Sequence, residues 1–115
     1  MVKIENLPPG LMKKGLREKL SKICEGNDIC LMAVFGSFAR REEIRRSDID
    51  IAIEFTDRRR KDLFDLIHVE DELRKVLGRK VDLGIFSAIN PYIIEDVKKE
   101  MIVIYNKSRG RKLPA

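Results

Sequence analysis

Asp48 and Asp50, one residue apart at the head of an apolar run, and Asp82, alternating with Val81 and Leu83 on a later one, have the types and spacing to do chemistry. Successive side chains on a strand point to opposite faces, so a strand over residues 48–55 would place Asp48 and Asp50 on one face, with Cα atoms roughly 6–7 Å apart. Two carboxylates at that separation can share a pair of divalent cations about 3.5–4 Å apart, an arrangement suited to in-line displacement at phosphorus. Asp82 is costly to half-bury unless a cation or a hydrogen-bond donor faces it. Three converging carboxylates repel one another without metal, so the array makes sense as a cation site. Hard oxygen donors favour Mg²⁺, with Mn²⁺ as a substitute, over zinc.

A second feature stands upstream. The run Ile29 to Phe35 ends at Gly36-Ser37, and ten residues separate Ser37 from Asp48. Glycine there lets the backbone approach a ligand with no Cβ in the way. Ser37 suits the N-cap of the following turn, whose unpaired N–H groups favour a phosphate, and a plain N-cap role is compatible with that one. Either motif alone is common; the combination with Asp82 is much more specific.

Elements must hold these residues in place. Met12, Leu16, Leu20, Ile23 and Cys24 recur at helical spacing and predict a helix over residues 11–25, stopped by Gly26-Asn27. Residues 29–35 read as a buried strand, and the charged segment 40–46 as a short exposed helix. Ile49, Ile51 and Ile53 anchor a second strand, 48–55, on the face away from its aspartates. Leu66, Val69, Leu73, Val76 and Leu77 give a helix over 60–77 one apolar stripe, with Asp57 or a neighbour as its cap and Gly78 as its stop. Residues 79–86 predict a third strand, Asn90-Pro91 starts a last helix ending near Glu100, and residues 101–105 form a final strand. The expectation is one α/β (α+β) domain over residues 11–105, a small mixed sheet of about four strands with helices packed against it. A lead-in over 1–10 and a basic tail over 106–115 flank it.

Composition narrows the classes. At 115 residues and 13.3 kDa the chain has room for one core and little for a second substrate domain. Charged residues make up 37% of it, and the net charge of +5 suits an anionic partner such as a nucleotide, a nucleic acid or an acidic protein surface. No apolar run is long enough to span a bilayer and the start lacks a signal-peptide core, so a cytoplasmic location is expected. Cys24 and Cys30 match no strong zinc or redox spacing and read as reduced thiols, a disulfide being the minority reading.

The pattern GSFARREEIRRSDIDIAI resembles the GSX10DXD signature of the DNA polymerase β nucleotidyltransferase superfamily, with Arg41 where a glycine is usual. The likeness extends through LRKVLGRKVDLGIF to EMIVIY, and the small size resembles the minimal nucleotidyltransferase (MNT) branch. The resemblance implies a palm-like nucleotidyltransferase fold and an antitoxin that transfers AMP from ATP to a tyrosine of a HEPN-domain ribonuclease toxin. It implies that Asp48 and Asp50 hold two Mg²⁺ ions and the triphosphate, and that Asp82 holds the ion activating the attacking hydroxyl. Gly36 and Ser37 would then hold the β- and γ-phosphates, with Arg40 assisting.

Blander readings stand beside these. Arg40 is about as easily a solvated helix residue, His68 falls on a polar helix face, and Arg58 to Lys61 reads better as a solvated loop than as a steering patch. The basic tail lacks the aromatic interleaving of a nucleic-acid arm, which leaves nucleic acid a disfavoured partner. Tyr92 and Tyr105 suit packing, with contact to a partner open to either. Alternative functions are an antitoxin acting by binding alone, a regulator on operator DNA, or transfer to a small molecule with a homo-oligomer completing the pocket.

Overall fold

The computed structural model describes residues 15–40, 48–57 and 61–107, with only the backbone of Ser37 and Phe38. The lead-in 1–10, the first turn of the predicted first helix, most of the predicted 40–46 helix and the tail from residue 108 lie outside the described residues. Four strands, β1 (Ile29–Phe35), β2 (Ile49–Phe55), β3 (Val81–Ile85) and β4 (Ile102–Asn106), form one sheet in the order β3-β2-β1-β4. β1 runs antiparallel to both β2 and β4, while β2 and β3 are parallel, so the sheet is mixed as expected. A parallel pair needs a long crossover, and here it is α3 (Leu63–Leu77).

Alternation along β2 decides what covers each face. Ile49, Ile51, Ile53 and Phe55 join Val34 and Val81 in the main core, against Leu16, Leu20 and Ile23 of α1 (Leu16–Gly26) and Val69, Leu73 and Leu77 of α3. On the other face Leu31, Ala52 and Phe86 form a smaller cluster, joined by Ile94 of α4 (Pro91–Glu100) and Met101. Glu54 also belongs to this side; it is buried and accepts a 3.0 Å hydrogen bond from the Ser87 amide, satisfying its charge with a backbone donor.

The helix ends follow local chemistry. Asp62, rather than Asp57, caps α3, in a reciprocal box with Asp65. Gly78 closes α3 in the left-handed region at φ 66°, and the Asn90 side chain caps α4 with Pro91 behind it. A 3₁₀ turn, Phe86–Ala88, joins β3 toward α4, and Asn106, assigned to the tail by sequence, belongs to β4. β2 starts one residue later than expected because pairing begins where the Ile49 amide donates to the Lys80 carbonyl at 3.0 Å. No described helix is long and apolar enough to cross a membrane. Cys24 and Cys30 are thiols, not a disulfide.

Candidate active site

β1 delivers its last residue, Phe35, opposite Asp50 on β2, so the chain that continues into Gly36 lies beside that aspartate. Asp50 in turn is in register with Asp82 on β3. Adjacent strands lie about 4.8 Å apart and residues in register share a face, so the two carboxylates are side by side. They lie on the face opposite α1 and α3, at the end of the sheet where the short helix α2 (Gly36–Ala39) begins.

Three effects push the Asp50 carboxyl above the ordinary carboxylate range: burial first, then repulsion from Asp82 together with a side-chain hydrogen bond to it, then repulsion from Asp48. Arg40, at the end of α2, opposes them. Folding has therefore assembled negative charge that is incompletely neutralised by the described side chains. Asp48 stands exposed just before β2, so strand alternation does not assign it to the Asp50 face. Among the described residues, no group of three acidic, histidine or cysteine side chains is spaced to hold a metal ion by itself. A paired carboxylate, with a third at its rim, fits Mg²⁺ all the same, because that ion commonly takes one or two protein carboxylates and completes its octahedron with substrate phosphates and water.

Gly36 shows why this corner takes glycine. Its φ of 71° is left-handed, and a Cβ built on it would collide with the Asp50 carboxylate oxygen. The backbone thus passes directly against the Asp50 carboxylate. The Arg40 amide closes the α2 turn onto the Gly36 carbonyl at 3.1 Å, and its guanidinium reaches Glu100 at the end of α4, also at 3.1 Å. Glu100 is sixty residues away in sequence and carries no local signal of that contact. The Ser37 side chain lies outside the described residues.

Other singled-out residues lie away from the pair. The His68 ring pairs with Glu72 at 2.6 Å on the exposed side of α3. Lys61 pairs with Asp28, while residues 58–60 lie outside the described set. Tyr105 is buried in the main core, as packing requires, but Tyr92 is 94% exposed, so a packing role for it is overturned.

A family model described as polymerase beta nucleotidyltransferase matches residues 18–110. A Methanocaldococcus jannaschii protein provisionally named a protein adenylyltransferase is 38% identical over 94 residues, spanning 81% of this chain and 94% of its own. Protein adenylyltransferase MntA of Thermococcus cleftensis is 32% identical over 92 residues, 80% of this chain and 84% of that one. In fold, the chain is similar to a solved toxin-antitoxin with AMP-PNP, at TM-score 0.66 and 23% identity over 80% of this chain and 74% of the other. It is similar as well to a complex of a tri-AMPylated Shewanella oneidensis HEPN toxin with an MNT antitoxin, at TM-score 0.58 and 22% identity over 77% and 68%. The matched span holds the glycine-serine turn, the Asp-x-Asp strand head and the third aspartate together, and on that footing the chain belongs to the polymerase β nucleotidyltransferase family.

Proposed function

We propose that the protein is an antitoxin that transfers AMP from ATP to a tyrosine hydroxyl of a HEPN-domain ribonuclease toxin. The observation that carries this reading is the in-register Asp50–Asp82 pair, with the Gly36 backbone set against Asp50. In the reaction the tyrosine oxygen bonds to the α-phosphorus, the bond from that phosphorus to the bridging oxygen breaks, and pyrophosphate and a proton are released. Asp50 and Asp82, with Asp48 at the rim, are the residues that would hold Mg²⁺. Bound there, the ion would polarise the α-phosphate and favour the ionised acceptor.

The chain's own contributions are positional. β2, anchored by Ile49, Ile51 and Ile53 in the core, fixes Asp50 on a rigid element. Gly36, lacking a Cβ, lets the backbone lie against the Asp50 carboxylate, and the first turn of α2 would offer backbone N–H groups to a phosphate beside it. Arg40 adds a cation at the rim, where it already offsets the charge of Asp50. Support for AMP as the transferred group comes from the adenylyltransferase names of the relatives, and support for a HEPN acceptor comes from the complexes that share the fold.

Incubating a HEPN-domain partner protein with ATP labelled at the α- or the γ-phosphate in the presence of this chain tests the reading. The α-label stays on the partner and the γ-label does not, and Asp82→Asn abolishes the labelling. Retention of γ-label, or transfer by Asp82→Asn, contradicts it.

Neutralisation by binding alone is favoured by a different observation: Leu63, Phe64 and Ile67 of α3 are exposed, Phe64 by 79%. Co-expression separates the two readings. If the Asp48→Asn, Asp50→Asn, Asp82→Asn triple variant still suppresses toxicity at the same protein level, binding suffices.

A further inference from the structure

Glu100 stands where its own helix gives it no reason to stand. It is the last residue of α4, at the negative end of the helix dipole, where the preceding Lys98 and Lys99 are favourable and a carboxylate is not. Its carboxylate instead accepts from the Arg40 guanidinium at 3.1 Å, far away in sequence. The two side chains are 44% and 43% exposed, and an ion pair that wet adds little to stability. Neither helix propensity nor folding energy accounts for the contact.

Its place in the sheet does. Ile102 of β4 is in register with Val34, the residue before Phe35, and Phe35 lies opposite Asp50. The end of α4 is therefore fixed at the same end of the sheet as the Gly36 turn and the acidic pair. Met101 packs with Phe35 on the smaller core cluster, and its amide donates to the Val97 carbonyl at 2.8 Å, so Glu100 sits on a supported element. Arg40 follows the four-residue α2 on the other side of the contact.

Two claims meet on the Arg40 guanidinium. Its charge acts on Asp50 alongside the charges of Asp82 and Asp48, while Glu100 holds the group itself. A guanidinium matches a carboxylate in a forked, charge-assisted grip. An Arg40 released from Glu100 would therefore compete with a divalent cation for the acidic pair.

We propose that Glu100 is a positioning residue: by holding the Arg40 guanidinium at the rim, it keeps that cation from closing on Asp50 and Asp82 and leaves the pair to Mg²⁺. The inference rests on the reading of the acidic pair as a metal site.

Mn²⁺ titrations of the full chain without nucleotide, followed by electron paramagnetic resonance, test it. Wild type binds the ion and Asp82→Asn binds it more weakly, which locates the signal at the acidic pair. Glu100→Gln weakens binding about tenfold. The same change made on top of Arg40→Gln costs about twofold or less, because Glu100 acts through Arg40. The double variant lacks the same ion pair, so its retained affinity separates positioning from loss of fold. In AMP transfer, Glu100→Gln raises the Mg²⁺ concentration needed for half-maximal rate by a similar factor. Undiminished Mn²⁺ binding in Glu100→Gln, or an equal loss with Arg40 present and absent, overturns the positioning role alone, provided that wild type and Asp82→Asn still differ. If those two bind Mn²⁺ alike, the metal reading of the pair fails and the positioning role falls with it.

Discussion

Asp50 is held between burial and two neighbouring carboxylates, with Arg40 opposing them. Since its folded carboxyl ionises above its ordinary range, the folded state retains a proton that the unfolded chain has already released. In metal-free buffer stability should therefore fall as pH rises through that range. Asp50→Asn removes the repulsion. It should raise the metal-free melting temperature at neutral pH by a few degrees while abolishing AMP transfer, read by calorimetry and by labelling on the same sample. A lower melting temperature would mean that the pair is stabilising as it stands. Gly36→Ala should lose on both counts, because its Cβ meets the Asp50 carboxylate and its φ of 71° costs a side-chain-bearing residue about 1–2 kcal/mol. Chemical denaturation checks the stability and α-label transfer the activity. Cys24 offers a control on the core: burial pushes its thiol well above the ordinary range, so a thiol reagent should modify it only at the rate of unfolding. The Asp50–Asp82 meeting was legible from alternation alone, since Ile49/Ile51 and Val81/Leu83 had to be buried and both aspartates then fell on the other face. The neighbour that most needs Gly36 to lack a side chain was not legible, because it is Asp50 itself, reached only through the β1–β2 pairing.

At the scale of elements, periodicity located the four strands and the helices α1, α3 and α4 to within a few residues, but not α2, and capping chemistry set the starts of α3 and α4. α3 begins at Leu63 because Asp62 and Asp65 satisfy each other's backbone amides. Asp62→Ala should cost about 1 kcal/mol, measured by urea unfolding, without changing the chemistry at the far end of the helix. The hydrogen bond from the Asp62 amide holds the Asp65 carboxyl below its ordinary range. That contribution is present above the unfolded chain's carboxylate range and is lost as the pH falls through the folded one. The capping partner was misplaced in the sequence because three acids, Asp57, Asp62 and Asp65, stand near the helix start, and only tertiary context chooses among them. The link from Arg40 to Glu100 had no sequence signal at all: α2 and α4 meet only once β4 has paired with β1.

For the whole molecule, the order β3-β2-β1-β4 is what turns four short strands into a catalytic layer. It sets the Gly36 turn on one side of Asp50 and Asp82 on the other, with α1 and α3 closing the rear face. Leu73, fully buried between α3 and the sheet, couples that rear support to the site, and Leu73→Ala should cost about 2–5 kcal/mol in denaturant unfolding. The exposed apolar residues of α3, Leu63, Phe64 and Ile67, are the least explained part of the surface by folding alone. The account stands or falls on AMP transfer through the paired aspartates. Its most direct test is the intact mass of the HEPN protein after incubation with ATP and Mg²⁺ and either the wild-type chain, Asp50→Asn or Asp82→Asn. Wild type should add the mass of at least one AMP unit, and both variants should add none while still co-purifying with the partner; AMP addition by either variant would contradict the account.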